Sequence, residues 1–339
     1  MPRVPTITAV VPYFGKWPPW FPAFLTSCAA NPSIRWFFFT DCSPIRNRPE
    51  NVTQISFTLE DLNRLATKKL GIDVNKGVYS QVDLKPTYGL LFDEYLAGSE
   101  FWANADIDVI WGDLRHFFDD QLLNSFEILS SRHSMHISGH FTLWRNTEKI
   151  NTIYRRHPDW QSWLSNPRHT CFDENGMSPM LRRESDVSIL WTRRLVVDYF
   201  DLEAHPYGWF WKDGHLFDGE NKEVCYLHFM TWKRYMKAID FPIGEYPTQF
   251  AVSRRGIWSK EIPFKEKVLN AGQYDTFFTA GIHLKRQTEA RIRRLVSHRA
   301  KSTAIQYRID EKELVPNGGV SLGSSTSIRR SNIASERGG

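Results

Sequence analysis

Short apolar runs and helix-like segments alternate along the first third of the chain. The runs at residues 6–11, 34–40 and 52–57 are rich in β-branched and aromatic residues, which favour strands. Segments with helix start and stop signals follow at 18–30 and 58–70. Uninterrupted apolar strands are typical of sheets that are covered on both faces. The alternation therefore predicts an α/β fold, in which helices flank a mixed, mostly parallel sheet.

The rest of the chain continues this pattern less regularly. Two Asp-Gly pairs within residues 205–220 predict a β-hairpin there. Thr58, with Asp61 three residues later, predicts a capped helix start. The other predictions are a helix over 83–96, a strand from 101 to the acids that follow it, strands over 126–130 and 224–229, helices over 146–156 and 184–200, and an irregular segment over 157–180.

Two carboxylates separated by one residue, Asp106 and Asp108, follow an apolar run. A buried carboxylate costs free energy unless it is paired or bound to a metal. In an extended chain, side chains two residues apart share a face. The pair therefore predicts a site for Mn²⁺ or Mg²⁺ that carries a phosphate-containing ligand. A strand-end Asp followed by a helix N-cap is the alternative that the residues leave open.

His228 and Lys233 are the next candidates for this site. His228 lies in an apolar, strand-like run, and Lys233 follows five residues later. A neutral imidazole is a common metal ligand, and a lysine can hold a phosphate as a point charge. We therefore expect His228 to be a third metal ligand. Lys233 is expected to bind the phosphates of the ligand that the metal carries, which would be a nucleoside diphosphate. A hydrogen-bonded core histidine followed by a solvated lysine is the simpler alternative.

Polar or turn-forming residues also follow the other predicted strands. In parallel sheets, ligands bind beyond the carboxyl ends of the strands, so these residues are expected to meet at one edge. Asp83 and Lys85 stand near a predicted helix start. An acid there can accept hydrogen bonds from the ribose hydroxyls of a nucleotide, or it can cap the helix. The residues predicted to bind the phosphate-containing nucleotide ligand, called the donor below, are Pro12, Tyr13, Phe14, Asp41, Asp83, Lys85, Asp106 and Lys233.

The middle of the chain supplies candidates for sugar binding and catalysis. Asp173 and Glu174 are predicted to be catalytic, because loop acids can act as a general base. Trp160 and Trp163 offer flat apolar faces to a sugar. Solvated acids and core tryptophans are the competing interpretations. At a predicted turn, Gly139 and His140 are expected to position the acceptor or the donor sugar, although an ordinary turn explains them equally well.

Composition and missing motifs limit the other functions. A net charge of +5 in 339 residues is too small to indicate nucleic-acid binding. Motifs for P-loop, dinucleotide-binding and α/β-hydrolase proteins do not occur. The four cysteines form no C-x-x-C pair, so we expect reduced thiols rather than a structural zinc site. No apolar run is long enough to span a membrane, which predicts a cytoplasmic protein.

The predicted organisation is one catalytic domain over 1–283, with a donor half over about 1–115 and an acceptor and metal-completing half over about 116–283. A basic helical extension over 284–315 and a disordered tail over 316–339 follow. The basic residues between 284 and 301 leave open a peripheral contact with anionic lipid at the inner face of the membrane. A solvated helix that closes the domain is the alternative.

Five stretches resemble a family of bacterial proteins of the GT-A glycosyltransferase type. They are 12–15, 36–41, 83–89, 101–113 and 138–146, and the resemblance extends over roughly residues 5–240. It implies a GT-A-like fold, a nucleotide-sugar donor and a divalent metal. It also implies that Asp106 and Asp108 bind the metal with His228, and that Asp41 and the Tyr13 region contact the nucleoside. Such families often have glycine just before the first acid, where this chain has Ala103, Asn104 and Ala105.

The sequence thus predicts a metal-dependent glycosyltransferase of the hexosyltransferase type. It would move a sugar from a UDP- or GDP-sugar to a hydroxyl of a glycan or lipid-linked acceptor, in bacterial surface-polysaccharide biosynthesis. A metal-dependent phosphohydrolase is one alternative, although such enzymes normally need more ligands to hold two metals. A noncatalytic carbohydrate-binding module is the other, and the 13 tryptophans favour it slightly.

Overall fold

The computed structural model describes residues 4–131, 136–191, 196–197, 208–218, 221–230, 233–236, 238–253 and 256–259. The strands within these ranges are β1 (Ile7–Pro12), β2 (Ile34–Thr40), β3 (Val52–Ser56), β4 (Phe101–Ala105), β5 (Val109–Trp111), β6 (Ile128–Ser130), β7 (Phe141–Arg145), β8 (Ile189–Trp191), β9 (Val196–Val197), β10 (Trp209–Lys212), β11 (His215–Phe217), β12 (Glu223–Val224), β13 (Tyr226–His228), β14 (Ala238–Ile239), β15 (Gln249–Ser253) and β16 (Gly256–Trp258).

The helices in the same ranges are short, apart from the first two. They are α1 (Phe21–Ala29), α2 (Leu59–Leu70), α3 (Tyr88–Leu91), α4 (Asp93–Leu96), α5 (Leu114–Phe117), α6 (Asp120–Ser125), α7 (Glu148–Asn151), α8 (Trp160–Ser165) and α9 (Ser178–Leu181). The chain also forms 3₁₀ turns at Ser80–Thr87, Ile153–Arg156 and Lys233–Tyr235, and a π-helical turn at Phe172–Met177.

A central sheet holds seven of the strands in the described part of the chain, in the order β3-β2-β1-β4-β7-β6-β8. The four strands from β3 to β4 run parallel to one another. Strand β7 is antiparallel to both of its neighbours, and β6 pairs in parallel with β8. The predicted α/β architecture with a mixed, mostly parallel sheet is therefore confirmed.

Both faces of the central sheet are covered, as its uninterrupted apolar strands predict. In β2, the ring of Phe38 packs on Phe21 and Phe24 of α1. Its neighbour Phe39 is fully buried on the other face, in a core cluster that includes Leu62 of α2. Because successive side chains of a strand point to opposite faces, β2 fills two cores at once. Burying each phenylalanine contributes about 1.5–3 kcal/mol to folding.

Local signals in the sequence predicted two features correctly. The Thr58 hydroxyl accepts a hydrogen bond from the Asp61 amide at 3.1 Å, and the Asp61 carboxylate accepts one from the Thr58 amide at 2.9 Å. This is the predicted capping box at the start of α2. Strands β10 and β11 form the predicted hairpin, with Asp213 and Gly214 at φ +48° and +91°. Positive φ at both turn residues is typical of the turn that an Asp-Gly pair favours.

Several helix predictions were wrong in detail. The region 83–96 is divided into the Ser80–Thr87 turn, α3 and α4, because Pro86 supplies no amide for a continuous helix. Gly89 also packs tightly, since a Cβ there would lie 2.3 Å from Asn151 Oδ1. Residues 146–156 likewise form α7 and a 3₁₀ turn.

Between 157 and 200 both predictions were wrong. The segment predicted to be irregular contains α8, the Phe172–Met177 turn and α9. The predicted helix over 184–200 instead contains β8 and β9, which pair with β6 and β13. Ile189 and Leu190 of β8 are buried, so pairing at the sheet edge outweighs their helix-like spacing.

Some expectations concern residues outside the described ranges. These are the basic extension over 284–315 and the tail over 316–339. The division into donor and acceptor halves stays a prediction. None of the helices in the described ranges is long and apolar enough to cross a membrane.

Candidate functional site

Asp106, Asp108 and His228 form a compact cluster at the carboxyl end of β4. One ligand atom from each residue lies within 4.8 Å of the others. The two acids occupy the turn between β4 and β5, and His228 is the last residue of β13. Strand β13 is antiparallel to β5, with His228 opposite Val109. The structure therefore brings together the three residues predicted to bind a metal.

Asp108 is buried between two basic side chains. Its Oδ2 accepts a hydrogen bond from Lys233 Nζ at 2.7 Å, and its Oδ1 lies 3.7 Å from His228 Nε2. Burial raises the pKa of Asp108, but the attraction of His228 and Lys233 outweighs burial and holds the pKa below its ordinary value. Asp108 is thus a carboxylate at neutral pH, which a metal ligand has to be.

Asp106 is held by a buried lysine. Lys85 Nζ donates to Asp106 Oδ1 and to the Gly139 carbonyl oxygen, each at 2.6 Å. Burial lowers the pKa of Lys85, but Asp106 and Asp173 raise it, so that it lies above its ordinary value. The Lys85 side chain is only 6% exposed, compared with 30% for Asp106. Lys85 was predicted to contact the donor nucleotide; its observed contacts are with the acid that was predicted to bind the metal.

Two further side chains, neither of them predicted as a site residue, support the turn that carries the acids. Trp20 Nε1 donates to the carbonyl oxygen of Ile107, between the two acids, at 2.9 Å. Asn104 Nδ2 donates to the Gly139 carbonyl oxygen at 2.9 Å. Asn104 belongs to the stretch 103–105, where similar families often have glycine, and its amide joins β4 to the Gly139 turn. For Trp20, the high tryptophan content was the only signal, and it did not distinguish one tryptophan from another.

His140 extends the cluster on the side of His228. The two imidazole rings stack, with centroids 3.9 Å apart and planes 19° apart. His140 Nε2 also lies 2.9 Å from the Tyr226 hydroxyl oxygen. Gly139 and His140 therefore lie next to the cluster, and their predicted contact with a sugar stays a prediction.

Asp173 and Glu174 approach the same region from the Phe172–Met177 turn. A Cβ on Gly139 would lie 2.6 Å from Asp173 Oδ2 and 3.4 Å from Glu174 Oε1, so glycine leaves room for both acids. Burial raises the pKa of Asp173 to about 7, although Lys85 acts in the opposite direction. A carboxyl group that changes its charge near neutral pH is suited to general-base catalysis.

The chain that follows β1 also lies near the Asp106, Asp108 and His228 cluster. Burial and the neighbouring Cys42 raise the pKa of Tyr13; Lys233 opposes this rise and Asp108 adds to it, so the phenol lies close to the cluster. The Tyr13 hydroxyl donates to the Lys16 carbonyl oxygen at 3.1 Å. Pro12 ends β1, whereas the side chain of Phe14 is buried in the core.

Asp41 follows β2 at the same edge of the sheet. Its Oδ1 accepts a hydrogen bond from the Gly15 amide at 2.6 Å, and Gly15 has φ +108°. The residue itself is exposed. The ends of β1 and β2 are therefore joined, as expected for neighbouring parallel strands, and Asp41 is open to a ligand.

Asp83 is fully buried, unlike the other acids predicted to bind the donor. Its Oδ2 accepts hydrogen bonds from Lys76 Nζ at 3.2 Å and from the Thr170 amide at 2.9 Å. Its Oδ1 accepts one from the Phe172 amide at 3.2 Å. The side chains of Asp83 and Lys76 are both 0% exposed. Asp83 therefore holds the segment before Asp173, and a direct nucleotide contact finds no support in its position.

Trp160 and Trp163 are half-buried in α8 and pack against the core. The ring centroid of Trp160 lies 5.3 Å from that of Tyr154, and the centroid of Trp163 lies 5.6 Å from that of Phe172. The structure thus gives both rings core contacts, and their predicted contact with a sugar stays a prediction.

Comparisons with known proteins place the chain in a family. No curated protein matches it. Among solved structures, the galactosyltransferase LgtC in complex with donor and acceptor sugar analogues is 11% identical over 66% of this chain and 86% of its own, with a TM-score of 0.36. An active-site mutant of LgtC is 12% identical over the same shares, with a TM-score of 0.37. The glycosyltransferase GlyE of Streptococcus pneumoniae TIGR4 is 11% identical over 57% of this chain and 46% of its own, with a TM-score of 0.33. The model of a family of unknown function, DUF6625, matches residues 9–261, and the chain therefore belongs to that family.

Proposed function

We propose that this chain is a metal-dependent glycosyltransferase of the GT-A type. It would move a sugar from a UDP- or GDP-sugar to a hydroxyl of a glycan or lipid-linked acceptor, in polysaccharide biosynthesis. The observation that carries the proposal is the cluster of Asp106, Asp108 and His228, with one ligand atom from each within 4.8 Å. Its position beyond the carboxyl end of β4 is where ligands bind in parallel sheets.

The ligand atoms of the cluster suit a divalent cation. Two carboxylate oxygens favour Mn²⁺ or Mg²⁺, and the imidazole nitrogen favours the transition metal Mn²⁺. Asp106 and Asp108 each bond a lysine through one oxygen, which leaves the other oxygen able to bind a cation. A bound cation would offset the negative charge of the diphosphate leaving group.

The two lysines have different exposures, which supports different roles. The Lys233 side chain is 41% exposed, so a ligand phosphate can reach it. Lys85 is buried, and its bonds to Asp106 and Gly139 orient the acid rather than meet a ligand. Lys233 is therefore the residue that we assign to the donor phosphates, and Lys85 the residue that positions Asp106.

The phosphohydrolase alternative is less well supported. In the part of the chain that the structure describes, Asp106, Asp108 and His228 are the one group of three or more acidic, histidine or cysteine side chains arranged to hold a cation. Two-metal phosphohydrolases hold their metals about 3.5–4 Å apart and need ligands for both. A single-cation transferase therefore agrees better with these residues.

Thermal unfolding with nucleotides and metals tests the proposal. We expect UDP or GDP to raise the Tm in the presence of Mn²⁺, to raise it less with Mg²⁺, and to have no effect with a chelator. A ligand at a hundred times its Kd adds about 2.7 kcal/mol of stability. His228→Ala should remove most of the preference for Mn²⁺, because it removes the nitrogen ligand. The proposal is wrong if no nucleoside diphosphate stabilises the native protein under any of these conditions.

The pH dependence of sugar transfer tests the predicted base. Because the pKa of Asp173 is about 7, its ionised fraction rises as the pH increases through that value. We expect kcat/KM to rise over the same range, since a base has to be deprotonated to accept the proton of the acceptor hydroxyl. Asp173→Asn should abolish this rise, and Glu174→Gln should leave it in place. The opposite result for the two variants would assign the base to Glu174.

A further inference from the structure

A thiol, an imidazole and a carboxylate lie in a row beside the segment that leads to Asp173. Cys171 Sγ is 3.1 Å from His169 Nε2. The other ring nitrogen of His169, Nδ1, is 3.0 Å from Asp83 Oδ1. A nucleophile next to a base that is oriented by a third group is the arrangement that activates cysteine and serine side chains. None of the three residues belongs to the Asp106, Asp108 and His228 cluster.

The contacts of His169 favour one proton arrangement. His169 Nδ1 lies 3.0 Å from Asp83 Oδ1 without hydrogen-bond geometry, and the negative charge of the carboxylate favours a proton on this nitrogen. Nε2 then carries a lone pair toward the Cys171 thiol. Asp83 is fixed in place, because it also accepts hydrogen bonds from Thr170 and Lys76. The imidazole is therefore positioned to take the thiol proton and leave a thiolate, which is the nucleophilic form of cysteine.

Cys171 also differs from the other cysteines in exposure. It is half-buried and has φ +55°, a left-handed conformation at the start of the π-helical turn. The other three are buried, and burial raises the pKa of their thiols. A buried thiol in apolar surroundings is inert, whereas an accessible thiol next to a base is open to modification. The three buried cysteines are Cys28, Cys42 and Cys225.

We propose that Cys171 is a nucleophilic thiol and a site of covalent modification by peroxide. His169 takes the proton of the thiol, and the thiolate sulfur attacks one oxygen of hydrogen peroxide. A sulfur–oxygen bond forms as the oxygen–oxygen bond breaks, and the departing hydroxide takes the proton from His169 to leave as water. The sulfur is oxidised to a sulfenic acid, and the peroxide is reduced.

The modified side chain lies where it can affect the neighbouring acids. Asp83 lies beside His169 and accepts a hydrogen bond from the Phe172 amide, so a larger polar group on Cys171 would disturb contacts that fix the start of the Phe172–Met177 turn. Asp173 is the next residue of that turn. An effect on sugar transfer rests on the proposed function, but the thiol chemistry does not.

Thiol modification of the full chain, followed by peptide mass spectrometry, tests the proposal. At pH 7, we expect limiting iodoacetamide to alkylate Cys171 about ten times faster than it alkylates glutathione. Hydrogen peroxide with dimedone should label the same residue, and Cys171→Ser should remove that label. His169→Asn should lower the alkylation rate about tenfold, since its side chain cannot take the thiol proton.

His157→Asn is the matched control, because the His157 ring also packs on Phe172, whereas its Nδ1 accepts a hydrogen bond from the Asp159 amide at 3.1 Å. It should leave the alkylation rate of Cys171 unchanged. The proposal is overturned if Cys171 reacts at the rate of glutathione, or if His169→Asn keeps its native Tm and reacts as fast as the native protein. Neither measurement needs a nucleotide sugar, so failure here is separate from failure of the proposed transferase activity.

Discussion

Replacing Asp108 with asparagine should lower sugar transfer at least about a hundredfold and abolish the Mn²⁺-dependent rise in Tm with nucleotide. The amide has the same shape as the carboxylate but no charge to hold a cation. The protein should remain folded, because the Lys233 side chain that pairs with Asp108 is 41% exposed and water can solvate it. Initial rates with UDP- and GDP-sugars, measured together with Tm, test both parts of this prediction.

Asp108 gives a cleaner experiment than Asp106. The partner of Asp106, Lys85, is buried, so its ammonium would lose the carboxylate that it bonds and the fold would suffer. Asp73→Asn is a suitable control, because it makes the same chemical change at an exposed position. Native rates in Asp108→Asn, with or without loss in the control, would contradict a metal role for this acid.

The second large effect is on stability, and it concerns the buried pair of Lys76 and Asp83. We expect Lys76→Met to lower the free energy of unfolding by about 3–5 kcal/mol, because it leaves a fully buried carboxylate without its cation. It also removes the donor to the carbonyl oxygens of Trp163 and Asn166, at 3.3 and 2.7 Å. Urea unfolding of the native and variant chains measures the difference.

Two further variants make this prediction specific to the buried charge. Lys69→Met should cost less than about 1 kcal/mol, because Lys69 pairs with the exposed Asp93. The double variant Lys76→Met with Asp83→Leu should lose less than the sum of the single losses, since no charge is left buried. Equal losses for Lys76→Met and Lys69→Met would show that burial of the pair does not matter.

Local patterns in the sequence predicted much of the first half of the fold. Strand β2 has the predicted bounds, and α2 begins with the predicted capping box and ends before Gly71 at φ +71°. These features depend on residues close together in the chain. The helix predicted over 184–200 failed because β8 is stabilised by pairing with β6, and that strand is distant in sequence.

The sequence indicated which side chains could bind a metal, but not which residues hold those side chains in place. The spacing of Asp106 and Asp108 and the placement of His228 in a strand were visible in the sequence, and the structure brings them together. The hydrogen bond from Trp20 to Ile107 joins residues 87 positions apart, so no local sequence pattern indicates it. The bond between Lys85 and Asp106 also depends on how α3, α4 and β4 fold back between them.

The antiparallel pairing of β13 with β5 has a consequence for synthesis of the protein. His228 reaches Asp108 only through this pairing, and Lys233 bonds to Asp108 from 125 positions away. A nascent chain that has released β4 and β5 from the ribosome thus displays Asp108 before His228 and Lys233 exist, whereas Lys85, the partner of Asp106, is already made. Chains whose synthesis stops before β13 would lack His228 and therefore the complete set of ligand atoms. Tight cation binding would then be expected only of molecules in which β13 has been translated.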